Sequence, residues 1–165
     1  MDTARIENEM RELESKLNYK FKDISLLAKA MASIKFDVEG AGDRHSEYLN
    51  EGLATVGDSI ISFIIADELY KSGITIKGEI TTNRSNLENN DVMYKVMLNE
   101  GFINYAYNDK HFYNEDNIPE HEKVVCKNHD TYIEAITAAI YYDSDYATVR
   151  KWIIEVLVPL LKKYA

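Results

Sequence analysis

Two acids, Glu51 and Asp58, stand two helical turns apart at the head of an apolar segment, Ile60-Ile61-Ser62-Phe63-Ile64-Ile65-Ala66. A carboxylate aimed inward beside such a segment costs free energy unless a metal, a cation or a hydrogen bond compensates it. A third acid, Glu134, opens a run of small and apolar residues, Ala135-Ile136-Thr137-Ala138-Ala139. Helices that each present one acid beside small residues can bring their carboxylates together. Facing carboxylates repel in a site of low dielectric, so one takes a proton or a cation sits between them. Hard divalent ions such as Mg2+ choose oxygen ligands and keep several waters, which leaves room for a phosphate. The chemistry on offer is metal-assisted hydrolysis of a phosphodiester. On pattern alone the plainer alternative stays open: Asp58 caps a helix and Glu134 pairs with a Lys or Arg.

These acids need a rigid frame, and hydrophobic periodicity supplies a helical one. Ile6, Met10, Leu13 and Leu17 make a single apolar stripe on a charged first helix. Asp23 is the natural cap of a second helix carrying Ile24, Leu26, Leu27, Ala30 and Met31. Gly40, Gly42 and several charges between Asp37 and Ser46 read as a flexible loop. A third helix is predicted from Leu49 to Lys71, closed by Gly73; its centre is apolar nearly all round, which marks it as a hub buried on every side. A fourth is predicted from Gly78 to Glu100, with Leu87, Val92, Val96 and Met97 inward and Gly101 as its stop.

The stretch from Asn108 to Lys123 has little periodicity and reads as a long surface loop. Its Glu120-His121-Glu122 is a weak candidate for metal, because adjacent residues point different ways and no partner motif follows. A fifth helix is predicted from Asn128 to Tyr142, with Ile133, Ile136, Ala139 and Ile140 inward. A last one is predicted from Tyr146 to Tyr164 despite Pro159, with Val149, Trp152, Ile153, Val156 and Leu160 apolar. No segment alternates convincingly as a strand. The expected class is all-α.

With 165 residues the chain suits one domain, 1–165, with a sizeable core. Glycine at 7 and proline at 2 leave few breakers, which favours long helices. A net charge of −9 argues against gripping nucleic acid by charge alone. It does not exclude acids whose metal ions face phosphate. The single cysteine, Cys126, cannot form an internal disulfide, and no apolar stretch approaches membrane-spanning length. An intracellular protein, cytoplasmic or nuclear, with no membrane partner is the expectation.

Ordered blocks of residues narrow the field. Leu13 through Asp23 with Ser25-Leu26-Leu27, then Asn50-Glu51 through Gly57-Asp58, then Gly78-Glu79-Ile80-Thr81 with Arg84 and Asn89-Asn90, and finally Glu134-Ala135 with Ala139-Ile140-Tyr141-Tyr142-Asp143 together resemble the catalytic domain of the ribonuclease III family. The second block resembles a signature written N-E-R-L-E-F-L-G-D. The resemblance covers nearly the whole length and implies a helical, homodimeric endoribonuclease acting on double-stranded RNA. It also implies Mg2+, with Mn2+ able to substitute, and products with 5′-phosphate and 3′-hydroxyl ends and short 3′ overhangs. By position Asp58 and Glu134 match metal-ligating acids, and Glu51 matches an acid that assists from the margin. The helical core is expected to take up all 165 residues and leave no double-stranded-RNA-binding domain among them. Either an RNA-binding partner protein or a C-terminal region past residue 165 is therefore expected to supply RNA affinity.

The chain also departs from the family pattern. Ala54 replaces the second acid of the signature, four residues before Asp58 and on the same helix face. Thr131 stands where an aspartate usually precedes the glutamate by three positions. Asp130, four before Glu134, falls near the same face and either takes over as a metal ligand or caps the helix. Thr55 stands where a phenylalanine commonly plugs into the partner subunit, and Ala32-Ser33-Ile34-Lys35 does not match the family's T-H-x-S segment. The competing expectation is a catalytically silent relative kept as an RNA-binding or assembly module.

Overall fold

The computed structural model describes residues 3–40, 42–108 and 129–165. Helix α1 (Thr3–Lys16) buries Met10 and Leu13, and Leu17 just beyond it is buried too, so the stripe packs as its spacing requires. Helix α2 (Ile24–Ala30) starts where Asp23 accepts a hydrogen bond from the Ser25 amide at 3.0 Å. Helix α3 (Glu51–Lys71) ends before Gly73, whose φ of +105° takes the chain out of the helix. Helix α6 (His129–Asp143) lies against α3, and this pair is the centre of the fold.

Three expectations are corrected. The segment read as a flexible loop between Asp37 and Ser46 is an antiparallel hairpin. Its strands β2 (Lys35–Gly40) and β3 (Asp43–Tyr48) pair from Lys35↔Tyr48 to Gly40↔Asp43. Strand β2 is exposed along most of its length, so no buried face imposed the alternation that would have marked it. A second small pairing is parallel, β1 (Ala32–Ser33) with β4 (Tyr107–Asn108). These short ladders decorate a domain that remains all-α.

The single helix expected over 78–100 is two, α4 (Lys77–Leu87) and α5 (Asn90–Asn99). Asn89 makes the break. Its side-chain amide donates to the carbonyls of Ser85 at 3.0 Å and Asn86 at 3.2 Å, while its oxygen accepts from the Val92 amide at 2.9 Å. One residue thus closes α4 and caps α5. The third correction concerns α3. Ile61, Ile64 and Ile65 are buried, but Phe63 is 57% exposed, so the hub leaves an aromatic ring on the surface.

The last helical stretch follows a continuous path from α7 (Tyr146–Trp152) through one wide π turn (Ile153–Leu157) into α8 (Val158–Tyr164). Pro159 has no amide to offer the preceding turn, and the widened turn upstream accommodates that loss. Asp143, at the end of α6, ties this half of the molecule to the α1–α2 turn. It accepts from the Tyr19 hydroxyl at 2.8 Å and from the amides of Lys22 at 2.9 Å and Asp23 at 2.8 Å. Trp152 Nε1 adds a bond to the Leu17 carbonyl at 2.8 Å. No helix among the described residues is long and apolar enough to cross a membrane. Cys126 and Glu120-His121-Glu122 lie outside the described residues.

Candidate active site

The crossing of α3 and α6 brings the candidate acids to one place. Gly57 sits in the contact: a Cβ built there would stand 1.7 Å from the Glu134 carbonyl oxygen. Any side chain at 57 would force the helices apart. The close approach sets Asp58, the next residue of α3, across a cleft from Glu134 on α6. This cleft, of about 630 Å³, is lined by Glu51, Ala54, Thr55, Asp58, Thr131 and Glu134, with Glu47, Gly52, Glu88 and Asn90 completing it.

Each wall has a local cause. The base of α3 is anchored by Asn50, which is fully buried and donates from Nδ2 to the Ala30 carbonyl at 3.0 Å, closing the end of α2. Glu51 accepts from the Tyr48 amide at 2.8 Å, which holds the end of the hairpin against the first turn of α3. On β3, Glu47 pairs with His45 Nε2 at 2.8 Å and adds a rim carboxylate. Asp58 is exposed in the cleft, whereas Glu134 is half-buried.

Of the acids singled out by sequence, Glu51, Asp58 and Glu134 therefore share one cleft. Asp130 belongs to the first turn of α6, but its side chain lies outside the described residues. Thr131 and Ala54 line the cleft with a hydroxyl and a methyl. Two acids were missed, Glu47 and Glu88. Glu47 escaped notice because its strand carried no recognisable alternation. Glu88 falls in the middle of the helix expected over 78–100, yet it occupies the break before Asn89 and lines the cleft.

Glu88 is the most constrained acid of the group. Oε2 accepts from Arg84 Nε at 3.1 Å and from the Ser62 hydroxyl at 3.4 Å. Oε1 is buried with no hydrogen-bond partner. Burial pushes this carboxyl above its ordinary range, Asp58 pushes it the same way by repulsion, and Arg84 and Ser62 only partly oppose them.

The donor set is entirely oxygen, the kind that Mg2+ or Mn2+ selects. An orphaned carboxylate oxygen is the sort of atom a cation satisfies. Among the described residues no three His, Cys, Asp or Glu side chains are gathered tightly enough to hold a metal. The acids line one cleft at separations that their own rotamers must close. The residues fit a hard divalent ion in donor chemistry, with Glu88 Oε1 the buried oxygen left without a donor.

Comparison with known proteins agrees with this architecture. Residues 51–145 match the Ribonuclease III domain family. Ribonuclease 3 from Francisella tularensis subsp. tularensis is 30% identical over 146 residues, which is 88% of this chain and 56% of that protein. The protein of subsp. novicida matches to the same extent, 30% over 146 residues. The chain thus spans just over half the length of these curated relatives. Among solved structures, the nuclease domain of ribonuclease III from Campylobacter jejuni superposes with a TM-score of 0.68 at 20% identity, over 92% of this chain and 95% of that one. A second structure of the same domain gives 0.67 at 20% identity, over 99% and 96%. At that identity the likeness speaks for the fold. The matched segment runs from the first residue of α3 to just past the end of α6 and so contains Glu51, Asp58 and Glu134, and the chain belongs to the ribonuclease III domain family.

Proposed function

We propose that this domain is an endoribonuclease that hydrolyses double-stranded RNA with Mg2+, leaving 5′-phosphate and 3′-hydroxyl ends with short 3′ overhangs. The observation that carries the proposal is the convergence of Glu51, Asp58 and Glu134 on one cleft at the α3–α6 crossing of a ribonuclease III domain. Asp58 and Glu134 would hold the ion from opposite walls, with Asp130 supporting from the first turn of α6. Glu51, already fixed by the Tyr48 amide, would orient the site from its margin. When bound, the ion would supply a Lewis acid for the scissile phosphate. The protein's own part is to place fixed carboxylates and to leave the cleft open on the side where an RNA backbone enters.

Two such clefts in a homodimer would serve the two strands of a duplex. Thr55, Ser59 and Phe63 follow at four-residue intervals along the exposed side of α3, and the Phe63 ring lies 6.4 Å from that of Tyr146. This aromatic surface supports self-association even though Thr55 offers no plug. One of the Campylobacter nuclease-domain structures describes flexibility in that protein's dimer-forming region. An RNA-binding partner protein would raise affinity for substrate.

One observation favours a second reading, a silent module for RNA binding or assembly. Ala54 and Thr131 put no carboxylate into the cleft they line. The test is direct. Purified protein is incubated with long double-stranded RNA, with and without Mg2+ or Mn2+, beside an Asp58→Asn variant. Metal-dependent fragments that vanish in the variant are the expected result. A folded dimer that cuts nothing at high protein and metal concentration would sink the enzyme reading, and retained RNA binding would then favour the silent module.

A further inference from the structure

We propose that Glu88 is a metal ligand of this cleft, contributing Oε1 to the ion shared by Asp58 and Glu134. The inference rests on the metal-dependent reading above and deepens it by adding a ligand from a third element. Three observations converge. Glu88 lines the same cleft as Asp58 and Glu134. Its side chain is only 11% exposed, so the carboxylate is held rather than free to find water. Its two oxygens are used unequally: Oε2 takes the bonds from Arg84 and Ser62, and Oε1, buried, takes none. A buried carboxylate oxygen without a donor is costly, and a cation removes that cost.

A purely structural role does not account for this arrangement. The ion pair with Arg84 and the bond from Ser62 of α3 both fall on Oε2 and leave Oε1 without a role. Arg84 pairs with Oε2, while burial and, to a lesser degree, the charge of Asp58 disfavour the ionised carboxylate; a cation at Oε1 would oppose both. The wall beside it has room, because Ala54, one turn before Asp58, ends in a methyl. Asn89 holds the position by closing α4 and capping α5 on either side of Glu88. The cleft thus gains from the α4–α5 break a carboxylate that α3 does not provide at Ala54.

The experiment is an Mn2+ titration of the metal-free protein, read by calorimetry and by the electron paramagnetic resonance signal of free Mn2+. The parent protein, Glu88→Gln and Asp58→Asn are compared, with folding checked by circular dichroism. Loss of a ligand is expected to weaken Mn2+ binding by about tenfold or more in Glu88→Gln. Adding Ala54→Glu to Glu88→Gln is expected to restore much of that affinity, since residue 54 lies one turn from Asp58 on the same face. If Glu88→Gln fails to fold, Glu88→Asp takes its place; it keeps the charge, shortens its reach by one methylene and should show the same direction of loss. A parent that binds Mn2+ through Asp58, with Glu88→Gln binding equally well, overturns this assignment and leaves the metal-dependent reading intact. A parent that binds no Mn2+, or binds it independently of Asp58, overturns both.

Discussion

Gly57 and the carbonyl of Glu134 are in contact without a side chain between them: a Cβ at 57 would come within 1.7 Å of that oxygen. This contact sets the separation of α3 and α6 and hence the width of the cleft between Asp58 and Glu134. In an open helix, replacing glycine by alanine stabilises by up to about 1 kcal/mol. Here the sign should reverse. Gly57→Ala is expected to destabilise by about 3 kcal/mol or more, because the obstacle is backbone on a neighbouring buried helix. Urea unfolding of the variant checks this; a gain in stability would show that the helices separate freely.

Asp58→Asn and Glu134→Gln should each lower the cleavage rate by about 10²-fold or more, the loss expected when several kcal/mol of transition-state stabilisation are withdrawn. Asp58 is exposed, so its replacement should shift stability by no more than about 0.5 kcal/mol. Cleavage kinetics on a defined RNA duplex, paired with thermal melts, separate the two effects. An equal loss of activity and fold in Asp58→Asn would point to a structural role for that carboxylate.

The Asp143 carboxyl should make stability pH-dependent. Burial opposes its ionisation, but the amides of Asp23 and Lys22 and the Tyr19 hydroxyl outweigh burial and hold the carboxyl below its usual range. A carboxyl depressed in the folded state stabilises fully above its unfolded value and loses that contribution as pH falls through the folded one. Asp143→Asn is therefore expected to cost about 2 kcal/mol near neutral pH. The gap between variant and parent should shrink below about pH 4. Denaturation curves across that range provide the measurement, and a gap independent of pH would contradict it.

Asn89→Ala should cost about 1 kcal/mol from the lost cap of α5. It should also loosen Glu88, since the same side chain closes α4. Hydrogen exchange at Val92 and at the end of α4 would report both; unchanged protection would mean that the break does not depend on Asn89.

Much of this molecule is legible in its order of residues, because helices bury stripes that repeat at 3.6 residues. Ile6, Met10, Leu13 and Leu17 had to pack together, and Asp23 had to cap the helix beginning at Ile24. The blocks around Gly57-Asp58 and Glu134 likewise announced a family without coordinates, and singled out three acids that line one cleft. Other features depend on which atoms meet across distant segments. The hairpin over 35–48 carries no buried face and so no period. The break at Asn89 depends on one amide side chain reaching back to Ser85 and Asn86. The exposure of Phe63 follows from where α6 lies against α3, since an all-apolar helix does not declare which side will be covered. Glu88 illustrates the difference most clearly. In the sequence it is one charge among many, and only the tertiary structure buries one of its oxygens beside Asp58 with nothing to bind, because burial is a property of neighbours rather than of a residue.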